Sequence, residues 1–98
     1  MIQEIEEGNI EYKRKLTMTN IDRFDTLITQ MNWRLNEGNG EAIYYLGIND
    51  NGSIYQFKND ESNDTILTFK HITNMAKIKI VSIKKIINHN QHFFKAII

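Results

Sequence analysis

The chain has 98 residues, 41% of them hydrophobic and 24% charged, and its formal net charge is zero. This length is typical of one domain with a single core. No apolar run approaches the roughly 18 residues of a membrane span, and the acidic N-terminus is unlike a secretory signal. We therefore predict a soluble, cytoplasmic protein with no membrane partner. The lack of cysteine excludes a disulfide framework, a thiolate zinc site and a cysteine nucleophile.

The first predicted element is a strand near the N-terminus. Residues 1–8 show no sustained apolar period and end in a glycine, so we predict a flexible lead-in there and a single domain over residues 9–98. Apolar or large side chains then alternate with charged ones through residues 10–16, a pattern typical of a half-buried strand.

A helix is predicted over residues 20–37. Thr19 or Asn20 would cap it with a side-chain oxygen, and Gly38 would end it. Its apolar side chains recur at helical spacing and fall within an arc of roughly 120°. They are Ile21, Phe24, Leu27, Ile28, Met31 and Leu35.

The middle of the chain predicts a hairpin followed by a second helix. Asn51-Gly52 is a strong turn signal, which predicts antiparallel strands over residues 42–48 and 53–57. Apolar spacing predicts a helix over residues 61–76. Two further apolar segments, residues 78–87 and 93–98, are predicted as strands separated by a polar turn.

This order of elements predicts an α+β fold. It corresponds to a ferredoxin-like β-α-β-β-α-β sandwich with an extra C-terminal strand, in which two helices pack on one face of an antiparallel sheet. The chain ends inside an apolar run, which predicts a domain taken from a longer protein.

No catalytic, cofactor-binding or metal-binding residue is predicted. Gly38-Asn39-Gly40 follows a helix, whereas a phosphate cradle precedes one, and no Walker-type motif occurs. His71, His89 and His92 could supply imidazoles to a metal, but exposed histidines are the preferred interpretation. Glu37 and Glu41 have no apolar pocket that would shift a carboxyl pKa toward acid–base chemistry.

Residues from Thr65 onward carry six lysines and no acid, which indicates a basic face. This leaves open a free-standing nucleic-acid-binding module that uses the C-terminal half. A small-ligand regulatory domain is the other alternative, and it is based on fold analogy alone.

Trp33 departs from the amphipathic pattern of the first predicted helix. It lies opposite the apolar arc, on the side of Thr29 and Gln30, with Arg23 and Arg34 beside it. Exposed tryptophan and arginine are enriched at interaction hot spots. We predict an exposed interaction surface formed by these five residues; the alternative is that local structure covers the indole.

The segment from Glu11 to Gly52 resembles a known family. Its central string is Thr29-Gln30-Met31-Asn32-Trp33-Arg34-Leu35-Asn36-Glu37-Gly38-Asn39-Gly40-Glu41-Ala42-Ile43-Tyr44, preceded by Glu11 to Leu16, Arg23-Phe24 and Leu27 and followed by Gly47 and Asp50-Asn51-Gly52. It is similar to the N-terminal segment of the GTP-binding protein 1 and 2 family, which are elongation-factor-like translational GTPases. Residues after Gly52 resemble the family less.

The resemblance implies that this chain is a non-catalytic accessory domain. A GTPase domain would follow Ile98 and would be its partner, and GTP and magnesium would bind only there. Aminoacyl-tRNA or the ribosome would be partners through the parent protein. No nucleotide-binding residue of the family is carried onto this chain.

Overall fold

The computed structural model describes residues 8–19 and 21–98. The predicted α+β class is confirmed: two helices accompany one sheet, an arrangement compatible with a ferredoxin-like sandwich. The predicted lead-in, except Gly8, and the predicted capping residue Asn20 lie outside the described residues. The elements are β1 (Ile10–Lys13), a short 3-10 helix (Ile21–Arg23), α1 (Phe24–Glu37), β2 (Ile43–Leu46), α2 (Glu61–Met75), β3 (Ser82–Asn88) and β4 (Gln91–Ile97).

The sheet is mixed, so the prediction of a purely antiparallel sheet is wrong. Its strand order is β1-β2-β4-β3. β1 pairs in parallel with β2 because α1 returns the chain between them, whereas β4 is antiparallel to both β2 and β3. β1 and β3 therefore form the two edges of the sheet.

The strand predicted over residues 53–57 does not form. The turn at Asn51-Gly52 is present, with the Ser53 carbonyl accepting from the Asn49 N–H at 2.8 Å, but only an isolated bridge joins Ile48 to Ile54. The reason is topological, since β2 already has β1 on one edge and β4 on the other. The segment therefore leaves the sheet, and the predicted fourth and fifth strands become β3 and β4.

The main core lies between the helices and one face of the sheet. Phe24 and Met31 of α1 and Phe69 of α2 are buried against Tyr44 of β2, whose ring centroid lies 5.5 Å from that of Phe69. Ile21 was predicted in the same apolar arc but is 64% exposed, because it lies in the 3-10 helix that precedes α1. A smaller cluster of Tyr12, Ile48 and Phe93 covers the other face of the sheet.

The C-terminus of α1 follows the prediction, whereas its N-terminus does not. Arg23 takes the N-cap position without a side-chain hydrogen bond, and the Thr19 hydroxyl lies 3.1 Å from that of Thr17, so Thr19 does not cap the helix. At the other end, Gly38 terminates α1 as predicted, and its N–H donates to the Arg34 carbonyl. Neither α1 nor α2 is long and apolar enough to cross a bilayer.

Candidate interaction site

A buried ion pair joins the edge strand β1 to α1. Arg34 Nε donates to Glu11 Oε1 at 2.8 Å, and Arg34 Nη1 donates to the Gly8 carbonyl at 2.9 Å. Both side chains are only 4% exposed. A guanidinium and a carboxylate that are both removed from water must stay paired, because either one left alone would carry a large desolvation cost. The pair therefore fixes the distance between β1 and α1.

This ion pair forms the floor of a cavity of about 430 Å³, which we call the β1–α1 groove. One wall is the edge strand and the other is the helix face that points away from the core. The lining residues are Glu11, Tyr12, Lys13, Arg14, Gln30, Trp33, Arg34 and Asp50.

The structure places Trp33 as predicted and Arg34 differently. Trp33 is 42% exposed at the groove, so its position opposite the core is confirmed. Arg34 is 3% exposed, and its predicted place on an exposed surface is wrong because it points inward to Glu11. The Arg34 guanidinium carbon also lies 4.6 Å from the centre of the Trp33 ring. This cation–π contact orients the indole at the groove.

The other three predicted surface residues stay near the solvent. Arg23 and Thr29 are exposed, and the Thr29 hydroxyl donates to the Asp25 carbonyl at 3.0 Å. Gln30 is half-buried in the groove wall, and its Oε1 is buried without a hydrogen-bond partner among the described residues.

A second cavity of about 440 Å³ adjoins the groove, and we call it the cationic cleft. It lies at the carboxyl end of β1, next to the 3-10 helix, and it shares Lys13, Arg14 and Asp50 with the groove. Four of its lining residues are basic and one is acidic. They are Lys13, Arg14, Lys15 and Arg23, with Asp50 as the acid.

One of these cations is engaged in an ion pair at the rim of the cleft. Lys15 Nζ lies 2.7 Å from Glu61 Oε2 at the start of α2. The Lys15 ammonium, the Lys58 N–H and the Tyr55 hydroxyl all bond to the Glu61 carboxylate and lower its pKa to about 2. Glu61 in turn raises the pKa of Lys15. This network ties the loop before α2 to the segment after β1.

Two other cations of the cleft have no such partner. Arg14 and Arg23 are exposed, and neither has a carboxylate within 4.0 Å among the residues that the structure describes. The Arg14 guanidinium lies 5.5 Å from the centre of the Tyr55 ring. Lys13 lies 3.5 Å from Glu11, which it shares with Arg34. The cleft therefore has positive charge that the described residues do not pair with a carboxylate.

Sequence reasoning missed the cleft because Lys13-Arg14-Lys15 was interpreted as strand alternation. The strand ends at Lys13, and Arg14 and Lys15 line the cleft. Glu11 also departs from the predicted alternation, which places charged side chains at the surface, because its side chain is buried. The one available signal was the run of three bases itself.

The C-terminal lysines and the histidines do not converge. Lys84 and Lys95 are paired in register on β3 and β4, whereas Lys70 and Lys77 lie on and after α2. His89 is exposed in the β3–β4 turn, and burial lowers the pKa of His92, which packs against Phe57 and Phe94. No cluster of metal-ligating side chains occurs over residues 8–19 and 21–98.

Comparisons with known proteins identify relatives of the chain. It is 39% identical over 82 residues, 84% of its length, to GTP-binding protein 2 from Homo sapiens and from Mus musculus, and it covers 14% of each. An uncharacterized protein of Acanthamoeba polyphaga mimivirus is 38% identical over 77 residues, 78% of this chain and 41% of the viral protein. No family model and no solved structure matches the chain.

The chain thus spans about one seventh of the length of GTP-binding protein 2. The match covers 82 residues and so extends beyond the Glu11 to Gly52 segment that carries the resemblance. The predicted resemblance of this chain to the GTP-binding protein 1 and 2 family is confirmed, over a segment that makes up 14% of GTP-binding protein 2.

Proposed function

We propose that this chain is a non-catalytic accessory domain of an elongation-factor-like GTP-binding protein, and that it contributes an interaction surface. One observation carries the proposal: 84% of the chain matches a segment that makes up only 14% of GTP-binding protein 2. Binding of GTP and magnesium would belong to another part of such a parent protein, with a GTPase domain after Ile98 as the partner of this domain.

The geometry supports a binding role better than a catalytic one. Glu11, a buried carboxylate, is occupied by Arg34, and the Glu61 carboxylate is held ionised by Lys15. The Glu61 pKa is lowered to about 2, whereas a general acid needs a raised one. In contrast, the β1–α1 groove presents the exposed indole of Trp33, with the half-buried Gln30 in its wall. We assign Arg23, Thr29, Gln30 and Trp33 as the interaction residues and Arg34 as their support.

The parent protein would act in translation in the cytoplasm, with aminoacyl-tRNA or the ribosome among its partners. This part of the proposal extends the family resemblance to the whole protein. The domain itself would supply contacts rather than chemistry, so its removal should alter partner binding and leave nucleotide chemistry intact.

A deletion in a full-length relative tests the proposal. Human GTP-binding protein 2 would be prepared with and without its matching segment, and in a third form with this chain in place of the segment. Binding of a fluorescent GTP analogue in the presence of Mg²⁺ should differ by less than about twofold among the three forms, which is within a surface effect. Folding of each form would be checked by circular dichroism.

Two outcomes would contradict the proposal. One is a loss of GTP affinity greater than about tenfold in a folded deletion form, equivalent to about 1.4 kcal/mol, since it would place nucleotide-binding groups in the segment. The other is GTP binding or hydrolysis by this chain alone, measured by isothermal titration calorimetry and by phosphate release.

A further inference from the structure

We propose that the cationic cleft and the adjoining β1–α1 groove together bind the phosphate backbone of single-stranded RNA. The inference rests on the proposed function only in taking this side of the domain as its interaction surface. It adds the chemical class of the partner, and it assigns the phosphate contacts to Arg14 and Arg23.

The first argument is the concentration of charge. The whole chain is neutral, yet its three arginines, Arg14, Arg23 and Arg34, all line the two connected cavities. Arg34 is consumed by its ion pair with Glu11, whereas Arg14 and Arg23 face the cleft without a carboxylate partner among the described residues. Guanidinium groups match phosphate oxygens in bidentate geometry. The cleft is therefore suited to phosphate.

The second argument is the aromatic group beside the cations. The groove and the cleft share Lys13, Arg14 and Asp50, so the exposed Trp33 lies along the same depression as the phosphate-binding groups. Proteins that bind single strands combine a positive groove with aromatic side chains on which bases stack. The half-buried Gln30 lies in the same wall.

These features favour RNA over an acidic peptide or a free phosphate. A peptide carboxylate would satisfy the arginines but would leave the exposed indole without a specific role. A free phosphate would occupy only the cleft. Asp50 faces both cavities and opposes every anion, so it should weaken binding and its removal should strengthen it.

Fluorescence anisotropy with a labelled 12-nucleotide oligouridylate tests the inference on the full chain. At physiological salt we expect a Kd within the range of about 1 to 100 μM that is typical of non-specific binding. Each phosphate contact should contribute about 0.7 to the slope of log Kd against log salt. Trp33 emission should fall on binding because a base stacks on the indole.

Single-charge variants locate the site. Arg14→Gln and Arg23→Gln should each weaken binding about two- to fivefold, the range of a surface ion pair, and Asp50→Asn should strengthen it by a similar factor. Lys70→Gln and Lys84→Gln remove the same charge from exposed positions outside both cavities and serve as matched controls. They should change the Kd by less than about 1.5-fold. Thermal melts would verify that each variant is folded.

Four outcomes would overturn the inference. They are no binding at the highest protein concentration, equal effects of the cleft variants and the controls, displacement of the RNA by millimolar inorganic phosphate, and displacement by oligoglutamate as effective as displacement by unlabelled RNA. If any of these occurs while the deletion form of GTP-binding protein 2 keeps its GTP affinity, the RNA assignment fails and the accessory-domain proposal stands.

Discussion

The β1–α1 side and the β3–β4 hairpin use charged residues in different ways. Along the groove, Glu11 and Arg34 are buried as a pair and Arg14 and Arg23 face a cavity. On the hairpin, Lys84 and Lys95 lie directly opposite each other on neighbouring strands, and neither lines the groove or the cleft. The hairpin has the greater density of lysine, yet the groove has the organised site. The number of charges in a segment is thus a poorer guide to function than the way the fold gathers them.

The largest expected effect comes from Arg34→Met, which leaves the Glu11 carboxylate without its main buried partner. We expect the free energy of unfolding to fall by about 3 to 5 kcal/mol, measured by urea denaturation. Arg23→Met, at an exposed position, should change it by less than about 0.5 kcal/mol.

The double variant Glu11→Leu/Arg34→Met is the critical control for that experiment. Replacement of both charges by apolar groups should recover most of the lost stability, because no unpaired charge remains buried. If the double variant were as unstable as the sum of the two single variants, the pair would not be the link between β1 and α1.

A smaller loss is expected from Gly38→Ala, at the link between α1 and β2. A Cβ at this position would collide with the Glu41 carbonyl oxygen and with the side chain of Asn9, whose amide donates to that carbonyl. We expect the free energy of unfolding to fall by about 3 kcal/mol, because the backbone at Glu41 and the chain at the start of β1 must both shift.

Gly40→Ala is the matched control: Gly40 has a positive φ of 98° but open space around the new Cβ. It should cost about 1 to 2 kcal/mol, from backbone strain alone. Equal losses would show that close packing at Gly38 is unimportant.

Helix periodicity was sufficient to predict α1, α2 and the exposure of Trp33, because these depend on residues close in sequence. Burial of Arg34 could not be predicted in this way. Its partner Glu11 is 23 residues away, and the apolar pattern counts both as surface residues. The missing strand at residues 53–57 has a similar cause, since the competition for the edges of β2 is decided by β1 and β4.

Substitution of a charged residue should stabilise the hairpin, whereas it destabilises the groove, because Lys84 and Lys95 repel each other. Lys84→Glu would place opposite charges on the register pair with Lys95, and we expect a gain of about 0.5 kcal/mol in the free energy of unfolding. Lys79→Glu makes the same change of charge at an exposed residue before β3 and should give a gain of less than about 0.2 kcal/mol. Equal gains from the two variants would mean that overall charge, and not the register pair, is responsible. The measurement is again urea denaturation, at low ionic strength.

The smallest expected effect is a difference in the pH dependence of stability between Glu61, at the rim of the cleft, and His92, in the hairpin. The folded-state pKa of Glu61, about 2, is below its ordinary value of 4.5, so its ion pair stabilises the fold above pH 4.5 and this contribution is lost as pH falls toward 2. The pKa of His92, in the hairpin, is also lowered from its ordinary value of 6.5. The fold therefore begins to lose stability through His92 at a higher pH, as pH falls below 6.5.

Carbon-detected NMR titration should show the Glu61 pKa moving back toward 4.5 in Lys15→Gln, with the pKa of His92 unchanged. A Glu61 pKa that stayed near 2 in this variant would mean that the Lys58 N–H and the Tyr55 hydroxyl hold the carboxylate without Lys15.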